Sequence, residues 1–333
     1  LYSFLINYSI FTTSNNLYFS TLKIFNDLSQ YNSTKKTFVT IGTFDGVHVG
    51  HQKVIKKLVK SAQKKDAISL LLTFFPHPRM VLQKDIDIKL INTIDERIQL
   101  LEKIGLEALV IQPFTEEFSK LTALDFVRKI LVNTLNISKL IIGYDHHFGK
   151  NREGNFEQLE EYGHTYDFQV NEISQKDIDN IAVSSTKIRK ALENGAIEKA
   201  NNFLGYCFML TGEVVKGNNL GEKIGFPTAN LCIKETYKLI PKTGAYLVKS
   251  TLNNEQVFGM MNIGFRPTVS GKNQTIEIHF FNFNDNLYGK RIQIEVLTFL
   301  RDEQKFESVE ALQQQLKKDK EKSLELINGT FFE

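Results

Sequence analysis

Cysteine is nearly absent from this 333-residue chain: Cys207 and Cys232 are the only two, and no C-x-x-C spacing occurs. The scarcity excludes a disulfide framework, offers no zinc-ligand pattern and fits a reducing compartment. Long apolar runs are missing as well, since no segment approaches the ~18 consecutive apolar residues of a membrane span. The opening "LYSFLINYSIFTTSNNLYFSTL" is apolar and aromatic, but Asn7, Ser9, Asn15 and Asn16 interrupt it. It has neither the basic start nor the small-residue cleavage site of a signal peptide, so a cytoplasmic protein away from the membrane is expected. An excess of one charge is also lacking. The formal net charge is +3, from 41 Lys plus Arg against 38 Asp plus Glu. The two signs are interleaved, so no dense basic stripe marks a nucleic-acid binder, and anionic small molecules remain as partners. Neither a Walker phosphate loop nor a G-x-G-x-x-G fingerprint is present, and there is no internal repeat.

What is present divides into two halves, as the length suggests. From Thr37 to about Ala200, "TFVTIGTF", "AISLLLTFF", "EALVIQPF" and "KLIIGYD" alternate with helical patterns such as "HQKVIKKLVKSAQKK". Apolar runs without polar alternation suit strands buried on both faces, and strand-helix repetition predicts a parallel α/β sheet. Beyond a boundary near Tyr206, "CFMLTGEVVKG", "GAYLVKSTLNNEQVFGMMNIG", "QTIEIHFFNF" and "KRIQIEVLTFL" read as strands joined by turns, which predicts an antiparallel β-barrel. A closing helix is expected at "SVEALQQQLKKDKEKSLELI", with Val309, Leu312, Leu316 and Leu324 as its apolar stripe.

Chemistry-bearing residues collect where the parallel strands end. "GTFDGVHVGH" places His48 and His51 at a glycine-rich turn opening a helix whose apolar side is Val54, Leu58, Val59 and Ala62. Such a helix N-terminus offers N–H groups and a positive dipole end to phosphate, the histidines add donors, and Gly50 allows close approach. A capped glycine-rich connection is the bland alternative. "TFFPHPRMV" holds His77 between Pro76 and Pro78, a rigid turn if nothing more. "GYDHHFGKNREGN" brings Asp145, Lys150 and Arg152 onto a loop, where His146 and His147 read as solvated rather than metal-binding. "SSTKIR" opens a helix with Ser184, Ser185 and Thr186 and places Arg189 one turn on, which is either ordinary capping or a phosphate site. In the second half, "KGNNLGEKIGFPTANL" has glycines at 217, 221 and 225, and its Thr228 and Asn230 are hard oxygen donors suited to Mg²⁺. A barrel loop with an Asn turn is the alternative there. "TIEIHFFNF" alternates so that Glu277, His279 and Phe281 share one face, and Glu277 is either a solvated strand residue or a base for a substrate hydroxyl.

In order and spacing, the four segments of the first half resemble the adenylyltransferase module of the bacterial bifunctional riboflavin kinase/FAD synthetase family, within the HxGH nucleotidyltransferase superfamily. The likeness begins near Lys23, which leaves 1–22 as an extension, 23–205 as the FMN adenylyltransferase domain and 206–333 as the riboflavin kinase domain. The second half resembles that kinase module through "GFPTANL", "GAYLV", "MNIGFRPTV", "EIHFFNFNDNLYGK" and "FLRDEQKF". The resemblance implies a Rossmann-like parallel α/β domain followed by a Greek-key barrel with a terminal helix. It implies ATP as co-substrate with Mg²⁺, phosphorylation of riboflavin to FMN with release of ADP, then adenylylation of FMN to FAD with release of pyrophosphate. No protein partner is required.

Residue by residue, the family pattern assigns the ATP phosphates to Gly42, Phe44, Asp45, Gly46, His48, Gly50 and His51, and pyrophosphate to Ser184, Ser185, Thr186 and Arg189. It assigns flavin contacts to Phe74, Pro76, His77, Pro78, Asp145 and Arg152. In the kinase half, Gly217, Gly225, Pro227, Thr228 and Asn230 would bind nucleotide, Thr228 and Asn230 the metal, and Glu277 would be the base. Phe75 and Glu222 depart from the pattern, standing where relatives often carry a polar or acidic residue and an arginine. An adenylyltransferase for another acceptor leaves "GFPTAN" and Glu277 without purpose, and a non-enzymatic flavin-binding regulator leaves both triphosphate-binding sets without purpose.

Overall fold

The computed structural model describes residues 21–331 apart from 84–86, 144–147, 151–152, 174–182, 218–219 and 269–270. Strands β1 (Lys23–Phe25), β2 (Thr37–Ile41), β3 (Ile68–Phe75), β4 (Ala108–Pro113), β5 (Ile137–Gly143) and β6 (Gln169–Ile173) form a parallel sheet in the order β1-β4-β3-β2-β5-β6. All five residues of β2 are buried, as a strand paired on both edges and covered on both faces requires. Winding reverses between β2 and β5, and the crevice beyond their carboxyl ends is the ligand position of such sheets. The expected α/β architecture is present.

Helix α1 (Val49–Gln63) follows β2 and buries Val54, Ile55, Leu58, Val59 and Ala62, the expected face with Ile55 added, among Phe38, Leu71 and Leu109. Leu22 is buried in the same cluster, so this residue, read from the sequence as the end of an extension, is part of the fold. Residues 1–20 lie outside the described residues. Helices α2 (Pro78–Leu82), α3 (Ile94–Ile104), α4 (Ala123–Asp125), which runs on as a π-helical segment Phe126–Thr134, and α5 (Phe156–Tyr166) complete this half.

After α6 (Ser185–Glu193) and α7 (Ile197–Leu204) come β7 (Phe208–Val215), α8 (Leu220–Lys223), β8 (Ala229–Cys232), β9 (Gly244–Leu252), β10 (Glu255–Thr268), β11 (Gly271–Phe280) and β12 (Arg291–Arg301). The strands close into an antiparallel barrel, β10-β11-β8-β7-β12-β9, which leaves no open edge. The hairpin β9–β10 turns through Asn253 and Asn254 at φ 51° and 68°, the left-handed pair that a two-residue hairpin turn needs. Ile276, Ile278 and Phe280 fill the barrel, while His279 and Phe281 point outward toward Phe226. The barrel's core continues back through Ile188, Ala191, Leu192, Ile197, Ala200 and Leu204, so α6 and α7 pack with the second half although the boundary near Tyr206 assigns them to the first.

The terminal helix α9 (Val309–Phe331) forms where expected, with a different inner face. Val309 and Leu324, expected in its stripe, are exposed, whereas Asp319, Ser323 and Ile327 are buried and Leu316 is half-buried against the barrel. The reason is electrostatic: Arg301 at the end of β12 grips Asp319 with Nε and Nη2 at 2.8–3.0 Å, fixing the rotation of the helix through a polar residue.

Candidate active sites

The turn after β2 is strained where the sequence is most unusual. Phe44 and Val47 take positive φ, 47° and 34°, although neither is glycine, and Val47 is fully buried. Gly46, at φ 88°, has no such choice, because a Cβ would lie 2.9 Å from the Ile91 side chain. The result seats His48 as N-cap of α1, its Nδ1 accepting the His51 N–H at 3.3 Å, with the two imidazoles stacked at 3.7 Å and Phe44 against His51 at 4.5 Å. Burial, with His48 and Arg97 nearby, holds His51 well below the ordinary histidine range, so its ring is neutral at pH ~7.

Asp45 ties this turn to two distant segments. Its carboxylate accepts the Ile91 N–H at 2.9 Å, the Asn92 N–H at 3.3 Å and Arg189 Nη2 at 2.5 Å, and Ser185 Oγ donates to its carbonyl at 2.8 Å. Ser184 caps α6 through the Lys187 N–H, and Thr186 is exposed beside it. The structure thus ties the turn that carries Asp45, His48 and His51, with Gly42 before it and Gly50 within it, to Ser185 and Arg189. Asp45 serves Arg189 and two amides.

His77 caps α2 by accepting the Arg79 N–H at 3.1 Å. Desolvation pushes its pKa down to about 4, against a raising pull from Asp45 and with Arg189 and Arg97 adding to the fall. Pro76 and Pro78 flank it, and Phe74 meets Phe114 edge to face at 5.7 Å and Phe118 at a tilt at 5.5 Å. Phe75 meets Tyr237 of the barrel half at 5.0 Å, an apolar use for the position that departs from the family pattern. Asp145 and Arg152 lie outside the described residues.

Arg97 escaped the sequence reading because it looks like a solvent-facing helix residue. It is 2% exposed, lies 3.9 Å from Asp45 through Nη2, and among the described residues its Nε and Nη1 have no hydrogen-bond partner. The neighbouring capping box of Thr93 and Glu96 was visible as T-x-x-E before an apolar run.

In the barrel, Glu277 stands directly opposite Asn230 on β8 and Asn262 on β10, so the three side chains share one face across three strands. This is the outer face, because the interior is filled by apolar residues, among them Met261, Ile263, Ile276 and Ile278 on the same strands. Gly217 runs against this row so closely that a Cβ would sit 2.2 Å from Asn230 Nδ2. Gly225, at φ 79°, turns the chain into Phe226 and Pro227, whose carbonyl holds His279 Nδ1 at 2.8 Å. Thr228 and Asn230, both partly exposed, offer hydroxyl and amide oxygens, a donor set that fits Mg²⁺. Among the described residues no cluster of three or more His, Cys, Asp or Glu could hold a metal by itself. Asn262 was missed because its place in the row depends on register, which periodicity alone does not give.

Comparison with known proteins matches both halves. Residues 30–187 fit the family model described as FAD synthetase, and residues 204–327 the one described as riboflavin kinase. A bifunctional riboflavin kinase/FMN adenylyltransferase of Buchnera aphidicola subsp. Schizaphis graminum is 39% identical over 84% of this chain and 91% of that protein. Its counterpart in Bacillus subtilis is 36% identical over 88% and 93%. A crystal structure described as a macrolide-efflux protein from Streptococcus pneumoniae superposes with a TM-score of 0.81 at 29% identity, covering 91% of this chain and 98% of that one. The chain belongs to the bifunctional riboflavin kinase/FMN adenylyltransferase family.

Proposed function

We propose that the chain makes FMN at the barrel and FAD at the parallel sheet, with ATP consumed at each site. The observation that carries this reading is the presence of two separate polar constellations, one around His48 and Arg189 in the first half and one around Glu277 and Asn230 in the second. The division follows the sequence boundary at Tyr206, with 23–205 as the adenylyltransferase and 206–333 as the kinase, although α6 and α7 pack with the barrel.

At the barrel, Glu277 accepts the proton of the riboflavin ribityl hydroxyl as its oxygen attacks the γ-phosphorus of ATP, and the bond to the β-phosphate oxygen breaks to release ADP. Thr228 and Asn230 would hold Mg²⁺, which when bound neutralises phosphate charge. Gly217, Gly225 and Pro227 shape the loop that lies over the nucleotide. At the sheet, an FMN phosphate oxygen attacks the α-phosphorus and pyrophosphate leaves. His48 and His51 donate to the triphosphate while Gly42, Phe44, Asp45, Gly46 and Gly50 shape the turn. Ser184, Ser185, Thr186 and Arg189 receive the departing pyrophosphate. Phe74, Pro76, His77 and Pro78, with Asp145 and Arg152 from the sequence pattern, would face the flavin. Positioning and charge neutralisation suffice for both transfers, so neither site needs a covalent nucleophile.

A cytoplasmic location, away from membrane and nucleic acid, completes the reading. The description attached to the Streptococcus pneumoniae structure suggests transport for that protein, but among the described residues of this chain no helix is long and apolar enough to cross a membrane. Incubating the purified chain with riboflavin, ATP and Mg²⁺ and separating the flavins by chromatography should yield FMN and then FAD. Recovery of unchanged riboflavin would favour a flavin-binding regulator, and FMN without FAD would favour another adenylyl acceptor.

A further inference from the structure

The peptide from Lys89 to Asn92 is held on two sides. Toward the sheet, the Ile91 and Asn92 N–H groups donate to Asp45, and the Lys89 carbonyl accepts Arg189 Nε at 2.9 Å. Toward the barrel half, Leu90 N–H donates to the Tyr237 carbonyl and its own carbonyl accepts the Leu239 N–H, both at 2.7 Å. Between these two bonds Lys238 reaches inward, its Nζ donating to the Ile91 carbonyl and to Glu96 Oε2, each at 2.6 Å. Both side chains of that pair are 0% exposed, and the ammonium lies 4.5 Å from the centre of the Phe208 ring.

A buried ion pair is a poor way to stabilise a seam, since apolar residues of similar volume generally serve at least as well. What an apolar residue could not do is fix the Ile91 carbonyl, whose neighbouring N–H groups grip the nucleotide turn. We propose that Lys238, carried by the kinase half, is a positioning residue for FAD formation in the other half. It acts through the Ile91 peptide on Asp45, and through Asp45 on Arg189 and the turn carrying His48 and His51. Tyr206 braces the same turn from the same side, its hydroxyl donating to the Gly46 carbonyl at 2.5 Å and lying 3.1 Å from the Asn92 side-chain amide. The kinase half therefore completes the adenylyltransferase site, an inference that rests on assigning FAD formation to the sheet.

Two full-length variants test it. K238M removes the ammonium at nearly constant length, and E96Q/K238M also removes the carboxylate charge that K238M leaves buried and unpaired. The double variant should recover stability relative to K238M in urea denaturation. In both variants kcat/KM for ATP in FAD formation should fall about tenfold, as a small misplacement of binding groups produces, while riboflavin phosphorylation stays within about twofold. A double variant that regains FAD formation together with stability overturns the proposal, because the pair would then be structural only. If His51→Ala spares FAD formation while K238M lowers it, the assignment of the reaction to the sheet has failed instead.

Discussion

His77 is a histidine that the fold keeps uncharged. Its pKa is pushed from the ordinary 6.5 to about 4, mainly by desolvation. Between those values the unfolded chain binds a proton that the folded chain does not, so the stability present above pH about 6.5 is lost progressively as pH falls toward 4. His51, held well below its ordinary value, acts in the same direction. Urea denaturation from pH about 7.5 to about 4.5 should show this loss, and His77→Asn should reduce its slope. A His77 ring resonance that titrates near pH ~6.5 would contradict the account. Gly217 gives a second test at this scale. A methyl group there would sit 2.2 Å from Asn230 Nδ2, so Gly217→Ala must displace either the loop or the amide. Riboflavin phosphorylation should drop at least about tenfold, with adenylylation of supplied FMN unchanged. Unchanged kinase activity would separate Asn230 from the reaction.

At the scale of elements, strand and helix identities were legible because burial on both faces, alternation and capping each leave a local mark. The run "TFVTI" read directly as a strand buried on both faces, and "TIEIHFF" showed by its alternation which residues share a face, though not which face is the interior. The inner face of α9 was not legible. Its rotation is set by Arg301 gripping Asp319, a long-range ion pair that apolar periodicity does not report. Asp319→Ala leaves the Arg301 guanidinium without its main partner at a site where it is mostly buried, and should cost about 3 kcal/mol in urea denaturation. A change below about 0.5 kcal/mol would mean that the helix is held by Ile327 and Leu316 alone.

At the scale of the molecule, the order of two nucleotide-handling halves was legible because their motifs are local strings. Their mutual dependence was not, since Lys238, Tyr206 and Arg97 look in sequence like an ordinary loop lysine, a boundary tyrosine and a surface arginine. Only the fold brings them to Asp45 and to the peptide beside it. The central claim is that two chemistries sit on separate halves, and one paired measurement tests it most directly: the flavin products of Glu277→Gln and His51→Ala, resolved by chromatography. Glu277→Gln removes the base, so FMN formation should fall by ~10²–10⁴-fold while supplied FMN still becomes FAD. His51→Ala removes a phosphate donor, so FMN should accumulate from riboflavin with FAD formation down ~10²-fold. A folded His51→Ala protein that no longer phosphorylates riboflavin, or a Glu277→Gln protein that still does, would contradict the account.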